Sequence, residues 1–180
     1  MLLLSCGQAD FSPKPRGYYR IDLPQKIYQV ANTGCPFSFE IPTYSNLKDD
    51  TNKGAQPCWK NLEFPQFNAI LHISYFDINQ QTTFDQLTED ARTFVFKHTS
   101  KASAIDQKPI NIPETSVYGL QYDIKGNTAS NTQFYVSDSS RHYLRAALYF
   151  NEKPNIDSIQ PVLNFLKQDI ETLINTLSWK

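Results

Sequence analysis

The chain has 180 residues, which suits one domain and is long enough to bury a real core. Its 17 basic and 18 acidic residues give a net charge of −1, so no strongly basic surface is implied and nucleic acid is a poor default partner. It contains no apolar run of the length a membrane-spanning helix needs, and its 12 Phe, 10 Tyr and 2 Trp against 1 Met favour packed sheet over a helical bundle. In chain order, the first feature is Leu3-Leu4-Ser5-Cys6, the apolar–apolar–small–Cys order of a bacterial lipobox. A small residue belongs beside the scissile bond, and the thiol is the acyl acceptor. On this reading residues 1–5 are the remnant of a lipoprotein signal peptide and Cys6 carries the lipid. The alternative is a frayed N-terminus with a free cysteine, because neither a cationic n-region nor a full apolar h-region precedes Ser5.

Residues 6–17 are small, polar and proline-rich, and read as an extended tether of about 3.1 Å per residue where it is polyproline-like. Residues 18–180 then form a single domain. Tyr18–Pro24 is expected to be a short edge strand. Arg16, Tyr18, Tyr19 and Arg20 lie outside the expected core and are candidate partner-binding residues, since Tyr and Arg are frequent hot spots. The segment could add to a partner's sheet edge or fold back on its own domain.

Phe37, Phe39 and Ile41 alternate with Ser38 and Glu40, the pattern of a half-buried strand. Tyr44–Pro57 reads as a polar loop. It is followed by a strand with Leu62 and Phe64 inward and a stronger one at Asn68–Phe76. With Cys6 assigned to lipid, Cys35 and Cys58 remain. In an exported protein they most economically form a disulfide, closing a loop worth about 3 kcal/mol; two buried free thiols are the alternative.

Thr83-x-x-Gln86 is a capping-box signature, and Phe84, Leu87, Ala91, Phe94, Val95 and His98 fall on one helical face. Residues 101–115 read as a loop. Three meander strands follow, with Tyr118, Leu120, Tyr122 and Ile124 on one face of the first. The last element is a long helix with an apolar stripe from Ile159 to Leu177. Pro161 is expected in its first turn, which requires a start near Ser158. Strands, helix, three strands and helix imply an α+β fold: a mainly antiparallel sheet covered by two amphipathic helices.

The chain has no GxSxG, HExxH, P-loop or GxGxxG, and no spacing that suggests a metal, so neither catalytic residues nor a cofactor are expected. Asp138-Ser139-Ser140-Arg141-His142 gathers an acid, hydroxyls and an imidazole. Neighbours in one turn rarely converge as a triad does, and the cluster reads as a solvated hairpin turn. Gly126–Asn131 could hydrogen-bond a sugar or peptide, or serve as an ordinary β-turn.

The blocks "PKPRGYYRIDLP", "CPFSFEIP", "FPQFNAILHISY", "KHTSKASAI", "YGLQYDIKGNTASNTQFYVSDSSRHYLRAALYF" and "FLKQDIETLINTLSWK" resemble the gliding motility lipoprotein GldD family from Cys6 to Lys180. The resemblance implies a non-enzymatic, lipid-anchored envelope protein required for gliding and the associated type IX secretion machinery. It implies an assembly or stabilising role, an outer-membrane position facing the periplasm, and GldJ-like lipoproteins as partners. Only the acylated cysteine carries over, onto Cys6. A glycan- or peptide-binding module is the alternative. The element order also resembles the α/β/α sandwich of the PsbP and Mog1 proteins, which leaves function open.

Overall fold

A computed structural model describes residues 20–180; Cys6, Arg16, Tyr18 and Tyr19 lie outside the described residues. The strands are β1 (Tyr28–Val30), β2 (Phe37–Ser38), β3 (Glu40–Pro42), β4 (Asn46–Asp49), β5 (Lys60–Phe64), β6 (Ala69–Asp77), β7 (Ala102–Ile112), β8 (Val117–Gly126), β9 (Ser130–Ser137), β10 (His142–Phe150) and β11 (Ser178–Trp179). The helices are α1 (Phe84–Phe96) and α2 (Ile156–Asn175). Seven strands form one antiparallel sheet in the order β4-β5-β6-β10-β9-β8-β7. Two small ribbons, β1-β3 and β11-β2, flank it.

Alternation along the central strands sets the layers. On β10, Leu144, Ala146 and Leu148 point into the larger core with Leu163, Leu166, Ile170 and Leu173 of α2. Tyr143, one residue out of phase, points into the smaller core with Leu87, Ala91 and Val95 of α1. The helices therefore cover opposite faces, and the fold is an α+β protein with α/β/α layering. Burial of this many large apolar side chains, each worth roughly 1.5–3 kcal/mol, is the main force holding it. The sheet is drawn tight at Gly119, where a Cβ would sit 1.9 Å from the carbonyl oxygen of Tyr135.

Several elements form as the residues dictate. The capping box of α1 is complete, with Thr83 accepting from the Gln86 backbone and Gln86 accepting from Thr83. Phe37, Phe39 and Ile41 are all buried. Their segment is broken into β2 and β3, which pair with β11 and β1 respectively.

Four expectations are corrected. Arg20–Pro24 is not a strand; the first one begins at Tyr28, past the missing N–H of Pro24. The Tyr44–Pro57 loop contains β4, whose Leu47 alone is half-buried, so it shows no alternation. Residues 101–115 are not a loop but contain β7, an 11-residue edge strand with only Ile110 buried. As an edge strand it tolerates Pro109. Helix α2 starts at Ile156, not near Ser158, because Asn127 Oδ1 of the β8–β9 turn accepts the Ile156 N–H at 2.7 Å. Pro161 is thus the sixth helical residue and removes a bond within the second turn. Tyr118 shares the α1 side of β8 with Tyr122 but stays exposed, outside the reach of that helix.

Candidate functional site

The N-terminal segment approaches the domain along α2. Arg20 is exposed, with 93% of its side chain accessible, and its only ion pair among the described residues is to the equally exposed Asp22 at 3.3 Å. Gln66 Nε2 donates to the Asp22 carbonyl at 2.7 Å, and Ile21 packs on the larger core. Further along, Lys26 donates to Asp169 of α2 at 2.6 Å and to the Phe165 carbonyl at 2.9 Å. The apolar side chains Leu23, Ile27 and Val30 remain exposed on this stretch, Val30 by 71%. Strand β1, which ends it, pairs with β3 alone.

Cys35 and Cys58 form a disulfide with Cα atoms 5.7 Å apart, within the range such a bond requires. It joins the residues leading into β2 and β5, with β4 between them in sequence.

The Asp138–His142 cluster is a hairpin turn, but it is not wholly solvated. Asp138 Oδ1 accepts the backbone N–H groups of Ser140, Arg141 and His142 at 3.0, 2.8 and 2.8 Å. Burial works against its charge, yet those N–H bonds hold the carboxyl below its ordinary pKa. His142 is 4% exposed, stacked on Trp179 at 5.2 Å between ring centroids. Its Nδ1 lies 2.7 Å from Tyr75 Oη, which also lies 2.7 Å from Asp77 Oδ1. Tyr75 has one hydroxyl proton; given to Asp77, it leaves the oxygen to accept from His142 Nδ1–H. The imidazole is thus removed from solvent because His142 falls on the α2 side of β10, where β11 covers it. Gly126–Asn131 is likewise consumed by its own turn: Asn131 Nδ2 donates to the Ile124 carbonyl, the Gly126 carbonyl and Thr128 Oγ1 at 2.8, 3.0 and 3.0 Å.

A groove that sequence reasoning did not find lies on the other face. Helix α1 has 13 residues and covers only part of the sheet it packs on. Beside its C-terminal half, one row of four strands is left as a floor: His72 of β6, Ala147 of β10, Gln133 of β9 and Tyr122 of β8, each paired across to the next. Ala147 sits in the middle of that row, and its small side chain makes the concavity. The space is about 520 Å³, and its walls include Phe94, Lys97 and His98. Arg145 occupies the next position toward Phe76, its guanidinium 4.4 Å from the Phe94 ring centre and 5.5 Å from that of Phe76. Lys97 Nζ lies 4.6 Å from the same Phe94 centroid. Gln133 is 7% exposed, and its Nε2 has no hydrogen-bond partner. Burial lowers the pKa of His98, and that of His72 against the opposing field of Asp50, so both rings favour the neutral form. The sequence signals were an arginine inside the apolar strand "HYLRAALYF" and an alanine between large residues; neither locates a groove without the length of α1.

Among the described residues, no group of three or more His, Cys, Asp or Glu side chains is placed to hold a metal ion. No helix among them is long and apolar enough to cross a membrane. No curated protein matches the chain. Among solved structures, the cyanobacterial PsbP protein (CyanoP) of Synechocystis sp. PCC 6803 is similar at 12% identity, over 88% of this chain and 95% of that one, with a TM-score of 0.49. The profile described as gliding motility lipoprotein GldD matches residues 8–179, nearly the whole sequence. The chain therefore belongs to the gliding motility lipoprotein GldD family.

Proposed function

We propose that this gliding motility lipoprotein is a non-enzymatic assembly or stabilising factor of the gliding apparatus and its type IX secretion machinery. It is held by acyl chains on Cys6 at the outer membrane, facing the periplasm, and engages a GldJ-like lipoprotein through the segment that includes Arg16, Tyr18, Tyr19 and Arg20. The observation that carries the reading is the family match over residues 8–179. Two structural features support it. The polar clusters at Asp138–His142 and Gly126–Asn131 are spent on internal contacts: their own turns, Tyr75 for His142, and the start of α2 for Asn127. The stretch after Arg20 keeps Leu23, Ile27 and Val30 exposed and ends in the short strand β1, paired on one side, to which a partner's strand could add.

The test is affinity purification of the lipidated protein from its own envelope, with mass spectrometry of what accompanies it. Replacing Arg16, Tyr18, Tyr19 and Arg20 with alanine should leave stability within about 0.5 kcal/mol, as surface changes usually do. The same change should weaken gliding and partner recovery together. A variant that glides normally and retrieves the same partners would reduce the segment to a spacer. A second role, peptide binding, is favoured by the groove beside α1, with its unpartnered amide and its two cations converging on one ring.

A further inference from the structure

The two cations at the groove pose an electrostatic problem. Arg145 and Lys97 approach the same face-bearing ring, Phe94, at 4.4 and 4.6 Å. Among the described residues no carboxylate comes within ion-pair distance of either, and the groove walls carry no acidic side chain. Asp90, exposed on α1, acts on Arg145 only through space. The imidazoles of His72 and His98, driven toward neutrality by burial, add no negative charge. The carbonyls ending α1 are also occupied, because Thr93, Val95 and Phe96 accept from Lys97, His98 and Thr99. The site is therefore a field of positive sign with an unspent amide donor, Gln133 Nε2, in its floor.

Shape narrows the ligand. The Arg145 guanidinium lies over the rings of Phe94 and Phe76, contacts that restrain it and that compete for none of its N–H donors; such a planar fork suits a carboxylate in bidentate fashion. Around that point the walls are apolar and aromatic, with Phe94, Val95 and Tyr149. About 520 Å³ holds a large side chain and a short length of backbone. The groove is open along the sheet face and is not a closed tunnel, so a chain can leave it.

We propose that this groove binds the free C-terminus of a protein chain that ends in a large apolar residue. The terminal carboxylate lies on Arg145, with Lys97 adding charge. The amide of Gln133 donates to the last peptide carbonyl, and the final side chain packs on Phe94 over Ala147. The groove is on the sheet face opposite α2 and the N-terminal segment, so this inference stands apart from the docking role of that segment.

The probe is a fluorescein-labelled hexapeptide ending in phenylalanine, with a free carboxylate or as its C-terminal amide, titrated against the full chain by fluorescence polarisation. Saturable binding of the acid is expected, with the amide weaker by at least about tenfold, the loss of one charge-assisted pair. Arg145→Gln should lose a similar factor. Ala147→Leu, which fills the floor from a half-exposed position without touching the opposite core, should also abolish binding while thermal unfolding stays near that of the parent. Equal binding of acid and amide, or no binding of either, overturns the proposal. So does retention of affinity in both variants. Dodecanoate is the competitor: if it displaces the peptide at concentrations well below the peptide's own dissociation constant, the groove is an acyl site and the peptide assignment fails.

Discussion

Lys26 Nζ lies 2.6 Å from Asp169 Oδ1, joining the start of the domain to the middle of its last helix across 143 positions of sequence. Asp169 is 2% exposed, a carboxylate inside the apolar stripe of α2. It is tolerated because three groups donate to it: Lys26, Tyr28 Oη at 2.8 Å and Tyr44 Oη in a short hydrogen bond. Burial first, and then the bond to Asp169, raise the pKa of Tyr44, which keeps it a donor at any physiological pH. Lys26 also lies over the Phe165 ring at 3.6 Å. The arrangement pins Lys26 and Tyr28, at the start of the domain, to α2.

Asp169→Asn should destabilise the protein by about 2 kcal/mol. Breaking a buried pair costs roughly 3–5 kcal/mol, and this one is discounted because the Lys26 side chain keeps partial access to water. Urea unfolding measures the loss. Proteolysis at Lys26 should quicken in the same variant, and unchanged cleavage with unchanged stability would show that the latch holds nothing.

Cys35→Ser with Cys58→Ser should lower stability by about 3 kcal/mol in the chain-entropy picture of a loop this long. The double serine variant avoids leaving one free thiol. The wild-type protein, denatured without reductant, should show no thiol from these two residues, and mass spectrometry should recover their peptides joined. Two thiols that alkylate freely would remove the bridge.

What was legible in the sequence was whatever had a one-sided environment. Phe37, Phe39 and Ile41 announce a buried face, Thr83 and Gln86 announce a helix start, and the apolar stripe marks α2, although the helix ends at Asn175 and Leu177 is buried just past it. Strand β7 was not legible because both faces of its middle meet water; Asp106, Gln107 and Lys108 alternate with nothing apolar. Asp169 does carry a signal: three residues after Leu166 and one before Ile170, it falls on the stripe itself. An acid there requires buried donors, although the sequence does not say that Lys26, Tyr28 and Tyr44 supply them. The groove depends on how far a 13-residue helix reaches across a sheet, which is a tertiary quantity. The burial of His142 is not legible, because the pairing of β11 with β2, which places Trp179 over it, has only two residues of signal.

Acid should destabilise the domain in two stages. The folded pKa values of His72 and His98 are lowered by burial, so the unfolded chain takes up protons first as pH falls below about 6.5. Stability from these groups is thus present above that value and is lost on acidification toward their folded values. Both side chains are partly exposed, so the slope is shallow. Asp138 and Asp123 are held below their ordinary value, Asp138 by backbone N–H groups and Asp123 by Lys167 at 2.8 Å, in each case against burial. Their contribution persists above pH 4 or so and is lost below it. Urea midpoints measured from pH 8 to pH 3 should fall gently and then steeply. A midpoint flat down to pH 4 would rule out the histidine stage.

His142→Ala should cost about 2–3 kcal/mol, and the reason bears on how any loss of function is read. The side chain is nearly fully buried, stacked on Trp179 and bonded to Tyr75. Its removal opens a cavity under β11 and deprives the Tyr75 oxygen of a donor, although Tyr75 keeps Asp77. A gliding defect in this variant is expected to track the fall in stability and to be rescued at lower temperature. Asp138→Asn makes the cleaner comparison. It keeps the shape of the turn while weakening the acceptance of three N–H groups, and should cost about 1 kcal/mol. If His142→Gln, which can still donate to Tyr75, restores stability but not gliding, the imidazole has a role beyond packing and the non-enzymatic reading fails. If gliding returns with stability, the pair Asp138 and His142 serves only to close the hairpin.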